Sequence, residues 1–313
     1  MEVVEVKIEE FKAIESNQLH VFQSVAFNEL NREKCDKVYY LLFKDSKYRL
    51  GLILGAREES LYSPFSAPFG GFIAISNQKI LQYLDVGISS LLEWSTNKGF
   101  TSIHMTLPPT FYNESLIANQ MNSLWRKGFE LCDIDLNYSF SVDFLNDNYL
   151  INLPRNARKN LKIALKSELD FKLCLSESEK FFAYEVIKKN REERGFPLRM
   201  SWQQVSDTIS IIDADFFLVY TNTNVAIASA VVFHVTDKIV QVIYWGDLHD
   251  YAGLKTMNYL SFKVFEYYKL QGISIVDIGP STENSIPNHG LVEFKESIGC
   301  KVSPKYKFEI KIT

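Results

Sequence analysis

The sequence predicts an α+β protein with mixed sheets and flanking helices, arranged as two similar domains. In each half, β-rich runs joined by short polar turns are followed by a long helical stretch that ends in glycine, and another β-rich run follows that helix. The chain has 313 residues, which suits two domains of ordinary size. The order of elements repeats although the residues do not, and an acidic-polar stretch around Asp147 divides the halves into 1–147 and 148–313.

The first half begins with a hairpin and continues as alternating helices and strands. Two β-rich runs flank the polar turn KDSKY, which predicts an antiparallel pair. Apolar residues at helical spacing predict the helix 80–98, another helix is predicted at 115–127, and a glycine follows each of them. The predicted elements are strands 38–43 and 49–55, helix 80–98, strand 101–107, helix 115–127 and strand 136–144.

The second half repeats this order and begins with an additional helix. Three consecutive β-rich runs joined by polar turns predict an antiparallel meander before the long helix. The predicted elements are a helix from 155 to about 167, strand 171–175, helix 176–194, strands 216–220, 226–235 and 239–245, helix 253–271, strand 273–278 and strand 305–312. The charges at 190–194, which close the second of these helices, are expected to pair locally.

Composition argues against several classes of protein. The formal net charge is -4, so no global basic field attracts nucleic acid, although a local patch can still do so. No apolar run approaches the roughly 18 residues of a membrane span. The N-terminus lacks the basic and apolar regions of a signal peptide, so we expect a cytoplasmic protein.

Cysteines and histidines give no sign of a metal site or a disulfide framework. The four cysteines lie far apart and form no CxxC, which predicts reduced thiols. The five histidines are scattered and form no HxxxH or HExxH, so no metal is expected. Serine hydrolase and P-loop motifs are also missing from the sequence.

The stretch IVDIGPS, followed by GLVEFKESIG, is the first candidate site. Asp277 lies near the end of a predicted strand, where ligands of α/β proteins often bind, and Lys295 could stabilise charge on an attacked carbonyl or hold a phosphate. The alternative is structural: Asp277 caps the loop, and Lys295 is a solvated lysine between Glu293 and Glu296. His289, in the loop between them, is the one histidine that we consider as a proton shuttle.

The turn before helix 253–271 is a candidate anion site. A glycine at the start of a helix leaves backbone N–H groups free for a phosphate, which points to Gly253, Leu254 and Lys255 as cofactor-binding residues. Alternatively, Gly253 only relieves crowding where helix meets sheet. Tyr244, at the end of the preceding strand, is a further substrate-binding candidate.

Two further stretches are candidates for substrate binding. Arg155, Arg158, Lys159, Lys162 and Lys166 form one basic stripe on a predicted helix, which suits either phosphates of a nucleotide-linked substrate or RNA, or simply a solvated face. The stretch SPFSAPFGG, at 63–71, suits a shaped pocket wall through Phe69 and Gly70, and equally suits a rigid loop between strands.

Taken together, these stretches resemble the GNAT superfamily of acyltransferases, in the branch related to the Fem aminoacyl (peptidyl) transferases. The resemblance rests on an ordered set of segments: SPFSAPFGGF, LPRNARKNLKIALKSELDF, YWGDLHDYAGLKTMNYLSFKVFEYYKLQG, IVDIG and GLVEFKESIG. It implies tandem GNAT-like domains and transfer of an acyl or aminoacyl group from acyl-CoA or aminoacyl-tRNA to an amine, with tRNA or a cell-wall precursor as partners. Acyl-CoA would be a co-substrate, and no tightly bound cofactor is implied.

By this resemblance, individual positions take on roles. Gly253 would lie in the phosphate-facing turn, Lys295 would be the cation near the transferred carbonyl, and Arg155 and Arg158 would lie where the basic helix of the family starts. The turn reads DYAGLK, without the Gln or Arg and the second small residue of the usual GNAT pattern, and no coiled-coil insertion is visible. The alternative from another class is a catalytically silent protein that binds a small ligand or a protein partner.

Overall fold

Mixed sheets with flanking helices make up the structure, which confirms the predicted fold class. The computed structural model describes residues 1–17, 19–76 and 78–312. The strands are β1 (Glu2–Glu5), β2 (Lys37–Lys44), β3 (Tyr48–Arg57), β4 (Ser60–Ser63), β5 (Ile73–Ala74), β6 (Ser102–Thr106), β7 (Glu130–Ser141), β8 (Asp170–Leu173), β9 (Ala214–Tyr220), β10 (Ala226–His234), β11 (Ile239–Asp247), β12 (Ile275–Pro280), β13 (Thr282–Glu283), β14 (Ile286–Pro287) and β15 (Lys301–Lys311).

The helices that the sequence predicts are present, with ends that differ by a few residues. The α-helices are α1 (Ile8–Lys12), α2 (Val25–Leu30), α3 (Ile80–Asn97), α4 (Glu114–Arg126), α5 (Tyr149–Asn152), α6 (Arg155–Lys166), α7 (Glu177–Arg194), α8 (Trp202–Ile209), α9 (Thr256–Leu270) and α10 (His289–Ser297). In the described part of the chain, no helix is long and apolar enough to cross a membrane.

The chain packs as two units. Within the described residues, unit 1 comprises 1–136, 282–286 and 303–312, and unit 2 comprises 137–281 and 287–302. Most of the last strand, β15, therefore packs with the first unit although it lies at the end of the sequence. The division of the sequence at 147 stays a prediction about the domains.

Unit 1 contains a mixed sheet with strand order β1-β2-β3-β4-β6-β15. Neighbours are antiparallel except β4 and β6, which are parallel. A hydrophobic cluster of unit 1 packs α1 and α2 against β2 and β3; its buried members are Phe11, Ile14, Val25, Tyr40, Leu42, Ile53, Phe65 and Ile73.

In unit 2 the strands pair in the order β7-β12-β11-β10-β9-β8, which begins with the end of β7. β11 and β12 are parallel, and every other neighbouring pair is antiparallel. Helix α7 packs on β9, β10 and β11, while α9 packs on β10 and β11. These contacts bury long apolar runs such as AIASAVVF of β10.

Each unit repeats one arrangement, as the order of elements in the sequence predicts. Three antiparallel strands are followed by a helix, and the next strand returns parallel to the third: β4-α3-β6 in unit 1 and β11-α9-β12 in unit 2. Both connecting helices end at a glycine with positive φ, Gly99 at 81° and Gly272 at 73°, where residues with a side chain are disfavoured.

Candidate functional site

The candidate site is a fork between the two parallel strands of unit 2. β11 and β12 pair only from Ile239 opposite Ile275 to Gln241 opposite Asp277, although β11 continues to Asp247. Just beyond this point, β11 contains a bulge opposite Val231 and Val232 of β10. Where two strands separate, backbone N–H and C=O groups of their inner edges become open to an extended ligand. The fork opens at the carboxyl ends of the strands, where ligands of α/β sheets commonly bind.

Asp277 holds the closed end of the fork. Its side chain is 0% exposed, and its carboxylate accepts hydrogen bonds from Asn137 Nδ2 at 2.8 Å, Gln241 Nε2 at 2.8 Å and the Gly279 N–H at 2.9 Å. These donors lie on β7, β11 and β12, so one carboxylate joins three neighbouring strands. A buried carboxylate is stable only with such partners.

Lys295 reaches the same backbone segment from helix α10. Its side chain is 2% exposed, so the solvated-lysine alternative is wrong. Nζ donates to the carbonyl oxygens of Gly279 at 2.8 Å and Pro280 at 2.9 Å, and it lies 5.6 Å from the centre of the Tyr138 ring. Two of the three N–H donors of the ammonium group are therefore used within the protein.

The surroundings of Lys295 adjust its proton affinity. Burial lowers the pKa of Lys295 to about 8, while the negative charge of Asp277 acts in the opposite direction. The ammonium form therefore predominates at neutral pH, but the proton is held less firmly than on an exposed lysine. A buried cation at a strand fork is suited to stabilising negative charge that develops on a ligand.

The neighbours of Lys295 on α10 fix the helix to β7. The Tyr138 hydroxyl donates to Glu296 Oε1 at 3.0 Å, and burial together with this contact raises the pKa of Tyr138 to about 12. Cys300, directly after the helix, is buried, and burial raises the pKa of its thiol. The contact between Tyr138 and Glu296 thus fixes α10 to β7 next to Lys295.

His289 lies apart from this pair. It is the first residue of α10, its side chain is exposed, and it is six residues from Lys295. Six residues turn a helix by about 240°, so the two side chains point in different directions. The structure therefore brings Asp277 and Lys295 together, and the predicted role of His289 stays a prediction.

The predicted anion-binding turn has a different form from the one expected. Helix α9 begins at Thr256, and Gly253 and Leu254 belong to a preceding 3-10 turn, His249–Leu254. The prediction that the helix starts at Gly253 is therefore wrong. A Cβ atom at Gly253 would meet nothing within 4 Å, so crowding does not explain the glycine. Lys255, with φ of 59°, is the residue that joins the two helical segments.

Tyr244 lies on β11 beyond the paired part of the fork, and it is buried. The Arg191 guanidinium of α7 lies over its ring, 6.0 Å from the centre, and burial lowers the pKa of Arg191. Arg194 forms an ion pair with Asp247 at 3.1 Å, and Glu193 accepts the N–H of His249. The expected local pairing of the 190–194 charges is therefore wrong, because these residues contact β11 and the turn after it.

Arg155 and Arg158 lie in the first turn of α6, as predicted. Arg155 is exposed, and Arg158 is half-buried, with Nη2 3.4 Å from the Leu153 carbonyl oxygen. The basic side chains of α6 line an open depression of about 540 Å³. Contact between these arginines and a substrate stays a prediction.

Among the described residues of unit 1, the parallel pair β4 and β6 has no comparable opening. After β4, the loop 64–72 folds back, and Gly70 donates its N–H to the Thr106 carbonyl at the end of β6 at 2.9 Å. The Gly71 N–H donates to Ser63 Oγ, and the Phe72 N–H donates to Gln120 Oε1. The protein's own loop thus occupies the edge that stays open in unit 2.

The packing of this loop favours the rigid-loop interpretation of 63–71. Phe69 is buried, with ring centres 4.7 Å from His20, 5.3 Å from Phe22 and 4.7 Å from Tyr112. A Cβ atom at Gly70 would lie 2.7 Å from Ser63 Oγ, so only glycine fits without a shift. The stretch is a tightly packed loop, and substrate contact by Phe69 and Gly70 stays a prediction.

Sequence reasoning missed Asn137, Gln241 and Arg191. Asn137 and Gln241 are the side-chain partners of Asp277 at the fork, and both are buried. A signal for Gln241 was present, because it is the one polar residue in the run IVQVIYW. A polar side chain inside a buried strand needs a partner, but the sequence does not indicate which one.

The two units and the fork define a tandem GNAT-like fold. No family model matches the sequence, and no curated protein matches it either. Among solved structures, FemX has a TM-score of 0.71 and 14% identity, over 99% of this chain and 97% of that one. The L-PGS of Bacillus licheniformis has a TM-score of 0.60 and 13% identity, over 97% and 92%.

A third similar structure supports the tandem arrangement. The tandem GNAT protein from the clavulanic acid biosynthesis pathway has a TM-score of 0.57 and 8% identity, over 100% of this chain and 98% of that one. At these identities the likeness establishes the fold. The chain therefore has a Fem-type, tandem GNAT-like fold, as the sequence resemblance predicted.

Proposed function

We propose that this protein transfers an acyl or aminoacyl group from a thioester or ester donor to an amine acceptor, with the reaction at the fork of unit 2. The observation that carries the proposal is the buried ammonium of Lys295 at the open end of the β11–β12 pair, beside the carboxylate of Asp277. The fold of FemX and of the tandem GNAT protein agrees with this choice of reaction.

The reaction requires few groups from the protein. The neutral amine attacks the donor carbonyl, a C–N bond forms, and the carbonyl oxygen becomes an oxyanion; the C–S or C–O bond to the leaving group then breaks. The oxyanion is the charge that needs stabilisation. We assign this role to Lys295, whose third N–H is the one not used by Gly279 and Pro280.

Asp277 has a structural role, and a different group accepts the proton of the attacking amine. Asp277 already accepts three hydrogen bonds within the protein, so we assign it to holding the fork and to keeping Lys295 protonated. The attacking amine loses a proton, which we assign to water in the open fork. His289 is the candidate that the sequence suggests, and the variant His289→Asn distinguishes it from water.

The finer proposal concerns the donor, acyl-CoA or aminoacyl-tRNA. Thermal unfolding with CoA, acetyl-CoA and longer acyl-CoAs tests the first, because a ligand at about 100 times its Kd adds roughly 2.7 kcal/mol to stability. Transfer of a radiolabelled amino acid from charged tRNA to a nucleotide-linked muropeptide tests the second. Stabilisation by CoA compounds without transfer from tRNA supports acyl-CoA, and the reverse supports aminoacyl-tRNA.

The alternative is a catalytically silent protein that keeps the fork for a ligand. Lys295→Met, which removes the ammonium but keeps the length of the side chain, discriminates between the two. For an enzyme, kcat falls about 100- to 1000-fold while ligand binding is largely kept. A native protein that binds a donor but shows no transfer with any amine acceptor would establish the silent alternative and overturn the proposed activity.

A further inference from the structure

Helix α6 of unit 2 carries an exposed stripe of positive charge, the α6 stripe, that the fork does not use. Its members recur at i, i+3, i+4, i+7 and i+11, and they are Arg155, Arg158, Lys159, Lys162 and Lys166. No acidic residue occurs within the helix. At 1.5 Å per residue, the stripe is about 17 Å long. The opposite face, with Ala157, Leu161 and Ala164, is buried against the protein.

The charges of the α6 stripe are not neutralised by the protein. Among the residues that the structure describes, none of the five takes part in an ion pair, whereas Lys172 and Lys263 of the same unit each have a glutamate partner. Five neighbouring cations repel one another, and this repulsion is relieved when an anionic partner binds.

Aliphatic side chains lie on both sides of the stripe. Ile163 and Leu165 are 36% and 42% exposed, and the 100° step of the helix places them on opposite flanks of the basic residues. Ile151 of the short helix α5, just before α6, is 66% exposed. No aromatic residue occurs in α6. The stripe therefore combines cations with aliphatic groups, and α6 itself supplies no ring for stacking on a base.

We propose that the α6 stripe docks this protein on an anionic lipid bilayer. Lipid phosphates would lie against the five cations and in the open depression of about 540 Å³ that they line. The aliphatic flanks would enter the boundary between headgroups and acyl chains. A nucleic acid would use the cations equally, but its recognition usually adds stacking on aromatic side chains, which α6 lacks.

The proposal does not depend on the proposed transfer reaction, because it involves no residue of the fork. Binding of the α6 stripe to an anionic bilayer should weaken as the salt concentration rises. Basic residues near an anionic membrane surface each strengthen binding about fivefold, so a helix with five of them is sufficient for reversible adsorption.

The test is flotation of the full chain with vesicles of equal parts phosphatidylglycerol and phosphatidylcholine, compared with vesicles of phosphatidylcholine alone. The stripe variant is Lys159→Gln with Lys162→Gln and Lys166→Gln, since glutamine keeps helix propensity. The control variant is Lys12→Gln with Lys189→Gln and Lys301→Gln, which removes the same charge from exposed lysines elsewhere. Circular dichroism confirms that both variants fold.

We expect the native chain and the control variant to bind the anionic vesicles, and the stripe variant to bind roughly a hundredfold more weakly. Ile163→Ser with Leu165→Ser should also weaken vesicle binding. Absence of binding by the native chain, or equal loss in both lysine variants, would overturn the proposal. Two results together would also overturn the proposal: tight binding of an RNA hairpin that depends on the three lysines, and vesicle binding that the two serine substitutions leave unchanged.

Discussion

Asp277 and Lys295 hold the two sides of one peptide segment. The Asp277 carboxylate accepts the N–H of Gly279, and the Lys295 ammonium donates to the carbonyl oxygen of the same residue. This segment lies where β12 departs from its regular pairing with β7, between Asp277 and Pro280. Two opposite charges, 18 positions apart in sequence, therefore shape the backbone at the fork.

Burial of Lys295 predicts a specific dependence of stability on pH. The folded-state pKa is about 8 and the ordinary value is 10.5, so between these values the unfolded chain holds a proton that the folded chain has lost. The free energy of unfolding therefore rises with pH in this window, by up to roughly 3 kcal/mol from this group. Below pH 8, the destabilisation caused by burying the charged lysine is fully present. We expect Lys295→Met to remove this rise.

The measurement is urea unfolding of the native chain and the variant from below pH 8 to above pH 10.5. Lys301→Met, which removes an exposed lysine, is the control and should keep the native slope. If the free energy of unfolding rose equally with pH in the native chain, Lys295→Met and Lys301→Met, Lys295 would not be desolvated in the folded state.

Replacement of Asp277 by asparagine is expected to weaken the fork. The amide nitrogen of asparagine would face one of the three donors, Asn137, Gln241 or the Gly279 N–H, and the charge that supports protonated Lys295 would be lost. We expect a loss of roughly 2–4 kcal/mol in the free energy of unfolding. Chemical denaturation measures it.

Asp250→Asn is the matched control for this change, since Asp250 is exposed in the same unit. Asp250→Asn should change the free energy of unfolding by no more than about 0.5 kcal/mol. An Asp277→Asn variant of native stability would contradict the assignment of Asp277 to holding the fork.

For His289, we expect that substitution leaves transfer nearly unchanged. The side chain is exposed at the start of α10 and is turned about 240° from Lys295, so water is the better placed proton acceptor. His289→Asn should keep kcat within about twofold of native, at each pH tested. A large loss of kcat that is greatest at high pH, where a histidine base is neutral and active, would instead identify His289 as the general base.

Phe69 should matter for stability rather than for ligand binding. Its ring is packed among His20, Phe22 and Tyr112, and truncation leaves a cavity. Phe69→Ala is expected to lower the free energy of unfolding by roughly 3–5 kcal/mol. Trp125→Ala, at a largely exposed aromatic residue of the same unit, should lower the free energy of unfolding far less. A stable Phe69→Ala variant with weakened donor binding would favour the pocket-wall interpretation.

Much of the fold could be predicted because its signals are local. Apolar spacing located α3, and the glycines at 99 and 272 marked the ends of α3 and α9. The repeat of strand, helix and strand was visible as an order of elements. The predicted start of α9 at Gly253 was wrong because a 3-10 turn and a residue in the left-handed region precede the α-helix, and neither has a distinctive sequence pattern.

The candidate site could be predicted only in part. Asp277 and Lys295 stood out as a charge at a strand end and a lysine shortly after it. Their partners did not, because Asn137 and Gln241 reach Asp277 across strand pairings that no local pattern specifies. For the same reason, the sequence left open whether Lys295 was solvated, since neighbouring glutamates suggest a surface helix whatever the helix packs against.

Local patterns predict the fold class, the duplicated order of elements and the basic stripe of α6, and they single out Asp277 and Lys295. Tertiary structure alone decided that Lys295 is buried, that the unit 1 loop covers its own strand edge, and that most of β15 packs with unit 1. The physical reason is the range of the interactions. Helical and strand periodicity acts over a few residues, whereas burial and strand pairing depend on residues far apart in the chain.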